Sequence, residues 1–258
     1  MGIRRRWPIA LGLLVLLIIL SGAVAYVALN APNRATPAAE AALQSDGEVT
    51  VSRLAGQDWY VFQPAGGAAE VGFILYPGGF VEATAYAPLA HDIARQGYLV
   101  VLDPMPLNLA FLGAESADAI IAAFPDIDAW AIGGHSLGGA MAAQYAADNP
   151  DAIDGLALWA AYPAGNTDLS AQALHVVSIF GDADGVAAPA EVTGAAGRLP
   201  PDTRFVAIAG GNHTQFGDYG TGLQRGDNPA TIDRDAQRAQ IVAATAALLA
   251  ALVPAGGS

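Results

Sequence analysis

A chain of 258 residues, 53% hydrophobic and only 14% charged, is neither disordered nor collagen-like. Its formal net charge is −13 and all 11 of its basic residues are arginines, which argues against nucleic acid as a partner and against anionic lipid headgroups. It has no cysteine, so disulfides, a cysteine nucleophile and thiolate metal sites are excluded.

In chain order, Arg4, Arg5 and Arg6 form a short basic tail over residues 1–6, expected on the cytoplasmic side. The stretch 7–29 that follows carries no charge. As a helix it is about 34 Å long, enough to span a bilayer core of about 30 Å, and it reads as a transmembrane anchor. Ala23-Val24-Ala25 also has the small-residue pattern of a signal-peptide cleavage site, so secretion after cleavage near Ala25 is the alternative. Either way the remainder is exported. Residues 30–46, rich in Ala, Pro, Asn and Thr, read as a linker.

From residue 47 to 258 a single domain is expected, in which apolar β-type runs alternate with helical stretches. Strands are predicted at 49–53, 59–63, 71–76, 98–102, 130–133, 156–159, 175–180 and 204–209. Helices are predicted at 86–96, 116–124, 137–148, 189–198 and 233–252. The later strands are near-continuous apolar runs, as when helices cover both faces of a mostly parallel sheet. Such α/β folds bind ligands at the carboxyl ends of their strands. The segment after the 156–159 strand is too short for a large cap domain.

Gly134-His135-Ser136-Leu137-Gly138 is a G-x-S-x-G pattern placed between a strand-like and a helix-like run. A serine on that sharp turn projects outward, and the helix N-terminus favours a developing oxyanion nearby. A serine nucleophile needs a base, usually a histidine oriented by a carboxylate. Of the two later histidines, His175 opens an apolar strand and reads as structural. His213 sits in the glycine-rich loop after the last strand and is the candidate base. The acid is expected in Gly181-Asp182-Ala183-Asp184-Gly185. Asp184 has the reach for it, whereas Asp182 follows the turn glycine and is suited to capping the turn. The oxyanion is expected on the backbone N–H groups of Leu137 and Gly79, with Phe80 as the alternative to Gly79. Phe80, Met105, Leu107, Phe111, Phe216 and Tyr219 are candidates for an apolar pocket. The long loop 216–229 is a candidate for substrate contacts.

Over residues 47–252 the chain resembles the α/β-hydrolase superfamily, in particular a small lidless bacterial serine hydrolase or esterase subgroup. The resemblance rests on Tyr76-Pro77-Gly78-Gly79, on Met105 to Ala110, on Gly134 to Gly139, on Gly181 to Gly185 and on Gly211 to Gly220. It implies the α/β-hydrolase fold with no large cap. It also implies a Ser136, Asp184 and His213 triad that cleaves a small-molecule ester or related acyl bond through an acyl-enzyme, without metal or organic cofactor. A peptidase or lipase, and a catalytically silent binding module on the same scaffold, are the competing readings.

Overall fold

The computed structural model describes residues 7–220 and 222–253; the basic tail expected over 1–6 lies outside them. The chain opens with a 24-residue helix α1 (Trp7–Asn30) and a short helix α2 (Pro37–Ala41). The sheet strands are β1 (Val49–Arg53), β2 (Tyr60–Pro64), β3 (Val71–Tyr76), β4 (Leu99–Leu102), β5 (Ala129–His135), β6 (Gly155–Trp159), β7 (His175–Gly181) and β8 (Arg204–Ile208). The intervening helices are α3 (Ala87–Ala94), α4 (Ser116–Ala123), α5 (Leu137–Asp148), α6 (Pro189–Gly194) and, after β8, α7 (Arg234–Ala250).

One eight-stranded sheet runs in the order β1-β2-β4-β3-β5-β6-β7-β8. β1 and β2 form an antiparallel pair and β2 joins β4 antiparallel; every later pairing is parallel. β3, β4, β5 and β6 are buried along their whole length because both sheet faces are covered. The strand period of two divides their side chains between two cores. Phe73, Leu75, Val100 and Val177 pack with α3 and α7 on one face. Ile74, Tyr76, Val101 and Ile132 pack with α4 and α5 on the other.

The chain leaves β3 for β4 on one side and returns to β5 on the other side of β3. This is the topological switch point, where the loops after β3 and β5 diverge and leave a crevice. The expected Tyr86 to Gln96 helix starts later because Ala83–Tyr86 forms a separate 3₁₀ turn before α3. The segment between β6 and β7 contains no helix, so no cap covers the sheet's carboxyl edge among the described residues.

Two features differ from the expected N-terminal organisation. Residues 30–46 are not a free linker. Thr36 caps α2 through its hydroxyl, and Ala39 is fully buried against the domain. The Thr36 N–H donates to the Asp218 carbonyl at 3.0 Å, and Ala35 bridges to Tyr219. The anchor reading of 7–29 gains no support from the structure: among the described residues, no helix is long and apolar enough to cross a membrane. Leu14 to Leu20 of α1 are nonetheless exposed, all apolar side chains.

Candidate active site

Ser136 stands between β5 and α5 with φ 53° and ψ −119°, a strained conformation for a residue with a side chain. The turn closes only because its neighbours are glycines. A Cβ on Gly134 would overlap the Tyr76 carbonyl oxygen, and one on Gly138 the Pro77 carbonyl oxygen. The Ser136 N–H is held by the Trp159 carbonyl at 2.9 Å, so the strained turn is anchored to β6.

Beside the turn, where the His213 ring lies 4.4 Å from that of His135, Nδ1 of His213 is 2.8 Å from Oδ2 of Asp184, with both side chains of that pair buried. The second oxygen of Asp184 is occupied, accepting the N–H groups of Val186 and Ala187 at 2.8 and 2.7 Å. This leaves Oδ2 aimed at the imidazole. With Nδ1–H donating there, Nε2 is the basic nitrogen, and it has no hydrogen-bond partner. Ser136 and His213 share no hydrogen bond among the described residues; such contacts often form only in the substrate complex.

Asp182 takes the other role open to it. Its carboxylate accepts the Gly210 N–H at 2.7 Å, locking the β7 and β8 loops together. His175 lies at the exposed start of β7, beside a groove of about 620 Å³ lined also by Asp202 and Arg204. A parallel strand begins there, so His175 is at the opposite end of the sheet from Ser136.

The loop after β3 faces the start of α5. A Cβ on Gly79 would lie 3.1 Å from Leu137 Cδ2, which places Gly79 directly against Leu137. Neither residue's N–H has a hydrogen-bond partner among the described residues, whereas the Phe80 N–H is taken by the Asn108 carbonyl at 2.7 Å. Of the two residues considered beside Leu137, only Gly79 has a free donor.

Sequence reasoning missed two supports. Tyr86 accepts the Gly78 N–H at 2.9 Å and stands 2.8 Å from His135 Nδ1, both side chains buried. The His135 ring stacks on Phe216 at 5.5 Å and packs against His213 at 4.4 Å. Burial, and then the neighbouring His213, hold the His135 pKa well below the usual histidine range, so it stays neutral. Burial likewise raises the Tyr86 hydroxyl. The second support is Asp227. It accepts N–H groups from Gly185 at 3.1 Å and Thr214 at 2.8 Å, tying the acid loop to the base loop. Burial opposes ionisation, yet these bonds and the Thr214 hydroxyl keep its pKa below the ordinary value.

The cleft beside Ser136 encloses about 290 Å³ and is lined by Leu137, Ala140, Ala160, Ala161, Tyr162, Ala164, Val186 and Ala187. None of the apolar side chains expected to line it does so. Met105, Phe216 and Tyr219 are buried in the cores, Leu107 and Phe111 are more than half exposed, and Phe80 turns through φ 59°. The described residues of the 216–229 loop fold back on their own domain: Tyr219 donates to Gln224, and the Gln224 N–H donates to Thr214.

A doubly covered parallel sheet with an outward serine at its switch point, and a buried Asp–His pair on the last two strand loops, define the class: an α/β protein with a hydrolase-type site. The alpha/beta hydrolase family model matches residues 72–239, and the chain belongs to that family. A solved structure, a predicted CIB-like hydrolase from Thermoplasma acidophilum, is similar in fold with a TM-score of 0.55. It is 15% identical, and the match covers 79% of this chain and 99% of that one. No curated protein matches the chain.

Proposed function

We propose that the protein is a serine hydrolase that cleaves a carboxylic ester or related acyl bond through an acyl-enzyme. The observation that carries this reading is the buried 2.8 Å Asp184–His213 pair, whose imidazole packs 4.4 Å from the ring of His135, the residue before the strained Ser136. In the proposed reaction, His213 Nε2 takes the proton of Ser136 Oγ as Oγ bonds to the carbonyl carbon. The N–H groups of Leu137 and Gly79 hold the oxyanion, and Asp184 stabilises the imidazolium. His213 then gives its proton to the leaving alkoxide as the tetrahedral intermediate collapses. Water, deprotonated by the same nitrogen, attacks the acyl carbon; the bond from that carbon to Oγ then breaks, the carboxylic acid leaves and His213 returns the proton to Ser136 Oγ. The small, alanine-walled cleft favours a short acyl group over a long one.

The test is labelling of the full chain by a fluorophosphonate probe beside the Ser136→Ala variant. Labelling of the parent alone supports an activated serine. A folded parent that is not labelled overturns the reading and favours a silent binding scaffold. Rates on esters of increasing acyl length then separate an esterase from a lipase.

We further propose that residues 7–29 anchor the protein, with the domain on the extracytoplasmic side. This rests on the uncharged stretch following Arg4, Arg5 and Arg6. Protease digestion of intact and permeabilised cells tests it: a domain cleaved only after the inner membrane is opened overturns the orientation.

A further inference from the structure

The segment that leaves α1 is bound to the rim of the candidate active site. The Asn108 side-chain amide donates to the Asn30 carbonyl oxygen of its side chain at 2.7 Å, at the very end of α1. Three residues on, the Glu82 N–H donates to the Asn33 carbonyl at 3.1 Å, and the Ala35 N–H donates to the Glu82 carboxylate at 3.0 Å. Ala35 also pairs with Tyr219, in the loop that follows His213. Asn108 in turn accepts the Phe80 N–H, next to Gly79. The end of α1 is therefore fixed to the loops after β3, β4 and β8, all at the sheet's carboxyl edge.

The same rim carries an apolar patch. Outside α1 there are five exposed large apolar side chains among the described residues, and three of them, Leu107, Phe111 and Leu112, fall within six positions. Leu107 and Asn108 both adopt φ 55°, an unfavourable conformation for residues with side chains. That backbone places Leu107 outward at 57% exposure while Asn108 holds α1. A patch of this kind beside an uncharged helix with exposed apolar side chains fits a bilayer better than water.

We propose that Leu107, Phe111 and Leu112 enter the bilayer in which α1 is anchored, so that the cleft at Ser136 opens toward the membrane surface. The substrate class this implies is an ester of a short acid with a bilayer-resident alcohol: the acyl group enters the cleft and the alcohol chain stays in lipid. The proposal rests on the anchor and hydrolase readings above. The acidic domain makes zwitterionic lipid the surface of choice.

The chain has no cysteine, so one can be introduced as a unique label site. Phe111→Cys and, as a control at the opposite end of the sheet, the exposed Asp202→Cys are labelled with a polarity-sensitive fluorophore. Each full-length protein is reconstituted into phosphatidylcholine vesicles. The expected result is a blue-shifted emission, quenched by spin-labelled lipid, at position 111 only. Emission at 111 that stays as in water, or a chain that fails to float with vesicles, overturns the proposal. In parallel, the Leu107→Ser/Phe111→Ser/Leu112→Ser variant is compared with the parent on hexadecyl acetate in vesicles and on soluble 4-nitrophenyl acetate. A rate roughly tenfold lower on the former alone is expected, the scale of losing a few inserted apolar side chains. Equal losses on both esters overturn it. If the label at 111 inserts but neither ester is cleaved by the parent, the hydrolase reading fails and the docking surface stands.

Discussion

The Tyr86 hydroxyl stands 2.8 Å from Nδ1 of His135, tying the loop that carries Gly79 to the strand that carries Ser136. That hydroxyl also accepts the Gly78 N–H, so one side chain joins both groups. Tyr86→Phe removes both partners at once. The buried Gly78 N–H and His135 Nδ1 would then be unsatisfied, at a cost of about 1–3 kcal/mol each before relaxation. In the proposed mechanism Gly79 donates to an oxyanion that exists only in the transition state. Displacing its loop is therefore expected to lower kcat by roughly tenfold or more with KM little changed. Steady-state kinetics on a short soluble ester checks this; an unchanged kcat in a folded variant would show that the network serves stability alone.

The acid loop offers a sharper contrast. Asp184→Asn keeps the shape of the side chain but disturbs the tautomer and removes the charge facing the imidazole. The expected loss in kcat is about 10³- to 10⁴-fold. Asp182→Ala removes only the acceptor of the Gly210 N–H and should cost about 1 kcal/mol of stability, with kcat largely kept. Thermal melts and kcat measured on both variants decide the roles, and a large kcat loss at Asp182 would reverse them.

Much of this arrangement was legible in the sequence because it is local. The strand runs at 49–53 and 71–76 and the helix 137–148 fall where the apolar patterning puts them, and the elbow is one short string of residues. What the sequence did not disclose depends on distant partners. Asp227 meets Gly185 across 42 positions, and Tyr86 meets His135 across 49. The pocket failed for a related reason. Phe216 and Leu107 are equally apolar on paper, but one stacks beneath His135 and the other is turned outward by a positive φ. The linker, poor in apolar bulk, still packs because Ala39 is small enough to be fully buried.

Gly78 and Gly79 should respond differently to alanine. A Cβ on Gly78 would come within 2.8 Å of both His135 Nδ1 and the Tyr86 hydroxyl, forcing apart a buried bond. On Gly79 the nearest atom is the end of the Leu137 side chain at 3.1 Å, which can rotate away. Gly78→Ala is expected to lose the larger share of kcat and of thermal stability. The order of the two variants in the same assay is the check, and the reverse order would mean that the loop is braced elsewhere.

Asp103, at the end of β4, supplies a prediction about pH. It is only 4% exposed, and burial pushes its pKa from 3.8 to about 6, although the Ser116 hydroxyl donates to it. A carboxyl whose folded pKa is raised binds its proton more tightly in the folded state. Its contribution is therefore most favourable below about pH 4 and is lost as pH rises to about 6. Above that, the buried charge costs about 3 kcal/mol relative to the protonated form. Asp103→Asn keeps an acceptor for Ser116 and carries no charge. The variant should exceed the parent in stability by up to about 3 kcal/mol at pH 8, several degrees in Tm for a domain of this size, and match it near pH 3. Melting both proteins across that range isolates the effect, because every other titrating group is common to the two. A variant no more stable than the parent at pH 8 would mean that the Asp103 charge is well solvated in the fold, and that the strand end is held by the ionised carboxylate.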